Sequence, residues 1–229
     1  MADNDFRYRG NLPVNYEQKC PLVLVLDVSG SMHGHPIDEL NKGLKRFQEE
    51  IKNDITASSR LDISIVTFGS QIDVVQDFAL VNDFDMPNLS VNGSTRLVDG
   101  MQEGLKILED RKEWYKQTGQ TYYRPYIVLM TDGYPDYDQD VSWLEKEIER
   151  KFLGKHLNFW AFGVESADMN MLKQLGHDGS LIQKLKGTDF VKFFRWLSSS
   201  MTSVTNSKEG EVIDVAPQSE EENPFQLKV

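Results

Sequence analysis

The chain has almost no cysteine. Cys20 is the single one in 229 residues, which rules out an internal disulfide and any cysteine-based zinc cluster. Long hydrophobic runs are missing too, since no stretch approaches the ~20 apolar residues of a membrane-spanning helix. Basic excess is also absent: Lys and Arg total 25 against 36 Asp and Glu, a net charge of −11. Such a surface repels nucleic acid and anionic membrane, and leaves metal ions and basic protein patches as its natural partners. Met1 to Asp5 begins with acid rather than base and carries no apolar core of a secretory leader. The expectation is a soluble, cytoplasmic protein. What remains is ordinary for a globular chain, with 39% hydrophobic and 27% charged residues and enough length for one domain with a full core.

Apolar periodicity supplies the architecture. Leu22 to Leu26 is a continuous apolar run ending at Asp27, the pattern of a strand buried on both faces, predicted over 21–27. Pro36 suits the first turn of a helix, and Ile37, Leu40, Leu44, Phe47 and Ile51 continue it to about Asn53. Strands are predicted over 61–68 and 74–81, the second antiparallel to the first because the turn between them is short. A helix follows over 96–116, then a strand over 126–130 ending in Thr131-Asp132-Gly133. Beyond lie a helix over 141–153 capped by Asp140, a strand over 157–164, a short helix over 169–175 and a weak edge strand over 181–185. A last helix, capped by Thr188, carries Phe190, Phe193, Phe194, Leu197 and Met201. Strands alternating with helices in this way give a doubly wound, mostly parallel sheet flanked by helices, with one antiparallel edge strand. Residues 1–20 read as a lead-in segment that covers a sheet edge, 21–205 as the domain, and 206–229 as a flexible acidic tail bearing Glu220, Glu221 and Glu222.

Two apolar strands therefore end in acid, at Asp27 and Asp132. Open α/β sheets bind ligands at the carboxyl ends of their strands, where the strand order reverses. Asp27, Ser29 and Ser31 put one carboxylate and two hydroxyls at alternate positions there. The loop Asn92-Gly93-Ser94-Thr95 precedes a helix and suits turning another hydroxyl inward. An all-oxygen set of this kind suits Mg²⁺ or Mn²⁺ and is poor for zinc or copper.

These motifs together, Asp27-Val28-Ser29-Gly30-Ser31, then Gly93-Ser94-Thr95, then Thr131-Asp132-Gly133, resemble the von Willebrand factor A domain and its metal-ion-dependent adhesion site. The resemblance covers roughly residues 21–205. It implies a Rossmann-like fold in which Ser29, Ser31 and Thr95 are hydroxyl ligands and Asp27 and Asp132 supply charge, one or both through water. It also implies an open coordination position for an Asp or Glu of a partner protein. Val66-Thr67-Phe68-Gly69 and Thr131 to Pro135 are similar to the bacterial TerY/YegL subgroup, which is associated with tellurite-resistance gene clusters. Where the family often has Gly-Gly-Thr, this chain has Gly93-Ser94-Thr95, so Ser94 either constrains the loop or adds a hydroxyl.

Other readings compete at several positions. Asp27, Ser29 and Ser31 could be turn caps. Arg96 could clamp the incoming carboxylate with Ser94 beside it at the partner surface, but an exposed pair with Asp99 or Glu103 is favoured. His33 and His35 read as solvent-facing rather than as zinc ligands. Asp136, Asp138, Asp140 and Glu147 have the acidic spacing of a calcium loop, but Val141 stands where that loop needs glycine. The expected function is a metal-dependent interaction module, not an enzyme. The alternative is a Mg²⁺-dependent phosphohydrolase of the haloacid-dehalogenase kind, whose second acid is here Ser29. A serine hydrolase using Ser31, Asp132 and His177 lacks the nucleophile elbow.

Overall fold

Five consecutive apolar residues leave a strand no side that can face water. The computed structural model describes residues 12–177, 180–207, 224 and 225, and in it β1 (Cys20–Asp27) is buried at every position. It is joined by β2 (Leu61–Phe68), β3 (Ile72–Leu80), β4 (Tyr126–Thr131), β5 (Asn158–Gly163) and β6 (Leu181–Lys184). The six strands form one sheet of order β3-β2-β1-β4-β5-β6. Every adjacent pair is parallel except β2 and β3. The doubly wound sheet with one antiparallel edge strand is thus the architecture the periodicity predicts. Chain order runs outward in both directions from β1 and β4, so the reversal that creates a crevice falls between their carboxyl ends.

Alternation along β1 sorts the core into two layers. Leu22, Leu24 and Leu26 face α1 (His35–Lys52), α2 (Ile55–Arg60) and α6 (Phe190–Asn206). Val23 and Val25 face α3 (Leu97–Thr118), α4 (Val141–Leu153) and α5 (Met169–Leu175). Close approach needs glycine where helices pack on their neighbours. A β-carbon on Gly43 would stand 2.6 Å from the Phe194 ring where α1 meets α6, and one on Gly100 would stand 2.7 Å from Phe68 where α3 crosses β2.

Three features depart from the periodicity. Helix α2 is unexpected: it has six residues and buries only Ala57 and Ser58, too short for an apolar stripe, and its signal is the cap that Asp54 makes with the Ala57 N–H at 2.7 Å. The last helix is capped by Asp189, which accepts from the Lys192 N–H, while the Thr188 hydroxyl contacts His35 Nδ1 at 3.2 Å. The lead-in, where described, does not run along an edge strand. Lys19 bridges to Tyr122 near the amino ends of the central strands, and Glu17 pairs with Arg60 of α2.

The acidic residues Glu220, Glu221 and Glu222 lie outside the described residues, but Pro224 and Phe225 are placed. The Pro224 carbonyl accepts from the Lys186 N–H at 2.8 Å, and Phe225 bridges to Leu185 beside β6. The Phe225 ring stacks 5.6 Å from Phe162 and meets Trp196 edge-on at 4.9 Å. At 6% exposure it is a core residue, and Phe→Ala at such a site costs about 3 kcal/mol or more. Phe225→Ala should therefore lower the urea midpoint of the protein. An unchanged midpoint would show that this contact does not persist in solution.

Candidate metal centre

Asp27 closes β1, and its carboxylate is fixed from two sides. The Ser29 N–H donates to Oδ1 at 2.8 Å, and the Thr131 hydroxyl, from the last residue of β4, donates to Oδ2 at 2.6 Å. Parallel pairing of β1 with β4 in register up to Leu26 and Met130 brings those two strand ends side by side. After Asp27 the chain makes a single 3-10 turn, Gly30–Met32. This turn sets the Ser29 and Ser31 hydroxyls 3.1 Å apart, and Ser31 Oγ donates to Asp132 Oδ1 at 2.7 Å. Asp27, Ser29, Ser31 and Asp132 thus form one hydrogen-bonded group across the crevice. Asp27, Ser29 and Asp132 are each at most 2% exposed.

Thr95 is brought to the same place by its backbone. The loop before α3 is tied to the β1 loop by Gly30 N–H to Gly93 O at 2.7 Å and Asn92 N–H to Val28 O at 2.6 Å. Gly93 adopts φ +59°, and a β-carbon there would fall 2.0 Å from the Ser70 hydroxyl, so the position requires glycine. On the other side the Thr95 N–H donates to Asp136 Oδ1 at 3.2 Å, and Asp136 N–H returns a bond to Thr95 O at 3.0 Å. Thr95 Oγ1 lies 3.9 Å from where a β-carbon of Gly133 would stand, beside Asp132. Among the described residues its hydroxyl has no hydrogen-bond partner.

The remaining candidates have structural duties. Ser94 N–H donates to Ser70 Oγ at 2.9 Å, so Ser94 constrains the loop. Arg96 donates to Asp99 at 2.6 Å and to Asp138 at 3.2 Å, joining α3 to the loop after β4. The four acids with calcium-loop spacing go separate ways: Asp136 holds Thr95, Asp138 holds Arg96, Asp140 caps α4 at the Trp143 N–H, and Glu147 pairs with Arg150. His177 packs against Phe152, near the amino end of β5, so it is at the opposite end of the sheet from Ser31. No group of three or more His, Cys, Asp or Glu side chains converges among the described residues. The constellation is two carboxylates and three hydroxyls.

Sequence reasoning missed two supports. Thr131 was visible only as part of a motif, although strand ends in register make its hydroxyl the neighbour of Asp27. Ser166, whose hydroxyl donates to the Asp132 carbonyl at 2.8 Å, follows β5 and has no local signal.

Burial raises the Asp27 carboxyl to about 6; the bonds from Ser29 and Thr131 oppose the rise and the charge of Asp132 adds to it. Asp132 is raised as well, chiefly by burial, with Glu165 adding to the rise and Ser31 opposing it. Neither carboxylate has a Lys or Arg partner among the described residues. Because the folded value of Asp27 lies above its free value of 3.8, its contribution stabilises the metal-free protein below about pH 4. That contribution is lost as pH rises through about 6. A rise from 3.8 to about 6 corresponds to on the order of 2–3 kcal/mol. Asparagine removes the charge, still accepts from the Ser29 N–H through its oxygen, and donates its amide to the Thr131 hydroxyl oxygen, reversing that bond. In chelator at pH 7, Asp27→Asn should therefore unfold at higher urea than the natural protein, and the gap should close at pH 4. A variant less stable at pH 7 would contradict this account.

Known proteins give the same architecture. The von Willebrand factor type A domain matches residues 22–194, most of the chain. Inter-alpha-trypsin inhibitor heavy chain H1 of Mesocricetus auratus is 25% identical over 170 residues, which are 69% of this chain but 18% of that protein. The pilus adhesin SpaC of Lactobacillus rhamnosus GG superposes with a TM-score of 0.67 at 14% identity, over 85% of this chain and 31% of the adhesin. The manganese-loaded TRAP protein of Plasmodium vivax superposes at 0.51 with 15% identity, covering 77% of this chain and 72% of that one. The chain thus spans only a small part of the first two of these relatives. With the sheet order and the motifs at its switch point, the match over residues 22–194 places this chain in the von Willebrand factor type A domain family.

Proposed function

We propose that this protein is a metal-dependent interaction module. Ser29, Ser31 and Thr95 give hydroxyl oxygens to Mg²⁺ or Mn²⁺, Asp27 and Asp132 supply its countercharge, and an Asp or Glu of a partner protein completes the shell. The observation that carries this reading is the pair of buried carboxylates with no Lys or Arg partner among the described residues. Burying an ionised carboxylate without a counter-ion is costly. A hard divalent cation supplies that counter-ion, and an all-oxygen set of carboxylates and neutral hydroxyls is what Mg²⁺ or Mn²⁺ accepts. Three hydroxyls with two carboxylates, one or both acting through water, would leave an open coordination position for a partner's carboxylate. Domains of this family generally mediate metal-dependent protein interactions, and a structural neighbour was solved loaded with manganese.

The module is not an enzyme in this reading. The position of a phosphohydrolase's second acid is Ser29, whose hydroxyl faces Ser31. The partner-facing roles of Ser94 and Arg96 reduce to bracing the Thr95 loop, so Arg96→Ala should weaken partner binding only modestly. Placement in a tellurite-resistance or stress-response complex rests on the resemblance to the TerY/YegL subgroup alone. No helix of the described residues is long and apolar enough to cross a membrane.

Metal at about 100 times its dissociation constant stabilises a folded protein by about 2.7 kcal/mol, roughly 5–10 °C in a domain of this size. Mg²⁺ or Mn²⁺ should raise the melting temperature by that order, and Asp27→Ala should abolish the rise. Asp132→Ala and Thr95→Ala should remove chelator-sensitive binding of co-purifying protein while circular dichroism stays native. A variant that unfolds would assign these residues to the fold. Binding that survives both chelator and substitution would defeat the metal mechanism, and preferential Zn²⁺ binding dependent on His33 and His35 would replace it.

A further inference from the structure

Beside the metal centre runs a groove of about 680 Å³ between α1 and the segment Asn88–Val91. Resting on the metal-dependent reading above, we propose that it receives an extended stretch of the same partner, carrying a second acidic residue about five positions from the one that meets the metal.

Three observations support this. The first is continuity. The groove's inner end is formed by His33 and Gly34, two and three residues beyond Ser31, and by Val91. The adjoining Asn92 and Gly93 are hydrogen-bonded to Val28 and Gly30. A chain leaving the metal therefore meets the groove at once.

The second is preformation. Residues 85–92 run without bend or regular structure. Such a stretch would be loose on its own, but the Asn41 amide clamps Leu89 through both its N–H, at 2.7 Å, and its carbonyl, at 2.9 Å. Gln48 holds the preceding loop in the same way, donating to the Phe84 carbonyl at 2.7 Å and accepting from the Met86 N–H at 3.2 Å. The buried Leu89 closes the floor. Asn88 and Ser90 stay exposed, and among the described residues none of their polar groups is hydrogen-bonded. A groove rigid before binding costs little ordering on capture.

The third is charge. Lys42 and Lys45 line the groove against one acid, Asp38, in a chain of net charge −11. Lys42 is held by Glu39 at 2.7 Å. Lys45 has no carboxylate partner among the described residues. From Gly34 to Lys45 the helix rises about 16 Å, the reach of about five extended residues, which fixes the spacing of the two acids.

Synthetic nonapeptides test this. One carries two aspartates separated by four uncharged residues. In a second, the distal aspartate is replaced by serine, and in a third the two aspartates are adjacent. Fluorescence anisotropy is read in Mn²⁺ and in chelator. The spaced peptide should bind in Mn²⁺ about two- to five-fold more tightly than the other two. Lys45→Glu and the charge-neutral Lys45→Ala should erase that advantage while the metal-induced rise in melting temperature is kept. Amide shifts over 88–91 should appear with the spaced peptide only. Equal affinity of the three peptides, or an advantage indifferent to Lys45, overturns the groove and leaves the metal reading intact. Binding unaffected by chelator or by Asp27→Ala overturns the metal reading itself. Failure of every peptide to bind at millimolar concentration overturns the groove. Tighter peptide binding after Glu220, Glu221 and Glu222 are changed to glutamine would instead make the protein's own tail the occupant, and would overturn the assignment to a partner.

Discussion

The pairing of β1 with β4 is the contact on which the site depends. Both strands are covered on both faces, so neither can slide or twist without breaking core packing on two sides at once. Their register brings Asp27 against Thr131, one step beyond the last rung at Leu26 and Met130, and leaves Asp132 two steps beyond it. The position of every charged oxygen in the crevice is thus set by apolar residues several ångströms below it. Rigid strands supply the charge, and short loops supply the hydroxyls.

The sheet holds a second buried acid that shows what a purely structural carboxylate looks like. Asp62, on β2, is fully buried and meets Arg111 at 2.7 Å and the Tyr115 hydroxyl at 2.5 Å. Arg111 in turn stacks 4.0 Å above the Trp114 ring. That carboxylate has its cation inside the fold. Asp27 and Asp132, at the opposite end of the strands, are offered hydroxyls and backbone N–H groups, with no Lys or Arg partner among the described residues. The contrast within one molecule separates a charge that holds helix to sheet from a pair of carboxylates held only by hydroxyls and backbone.

The loops around the crevice are braced rather than free. Three acids, Asp138 exposed and Asp99 and Asp136 half-buried, and one arginine join the start of α3 to the loop after β4: Asp136 grips the Thr95 N–H, and Arg96 spans Asp99 and Asp138. Exposed ion pairs contribute little individually, but here they act on geometry, holding Thr95 at a fixed height beside Asp132. The acidic spacing 136, 138, 140 that mimics a calcium loop is the trace of these separate bonds.

Sequence alone determined the alternation of strands and helices, because runs such as Leu22 to Leu26 and the spacing Ile37, Leu40, Leu44, Phe47 are imposed by what each element must bury. It also named the candidate residues, since Asp27, Ser29, Ser31, Thr95 and Asp132 all fall at strand ends or in the loop before a helix. Helix α2 escaped because six residues with little burial leave no period. The anchoring of Phe225 escaped because a lone aromatic in an acidic stretch has no neighbours in sequence to mark its pocket. Only the tertiary structure decided which groups meet across the crevice. The Thr131 bond to Asp27 spans 104 residues and the Ser31 bond to Asp132 spans 101. The same holds for the duties of Arg96 and Ser94 and for the groove closed by Asn41 and Leu89. Such contacts depend on strand register and helix placement, which local pattern does not encode, and so they appear only when the whole core has packed.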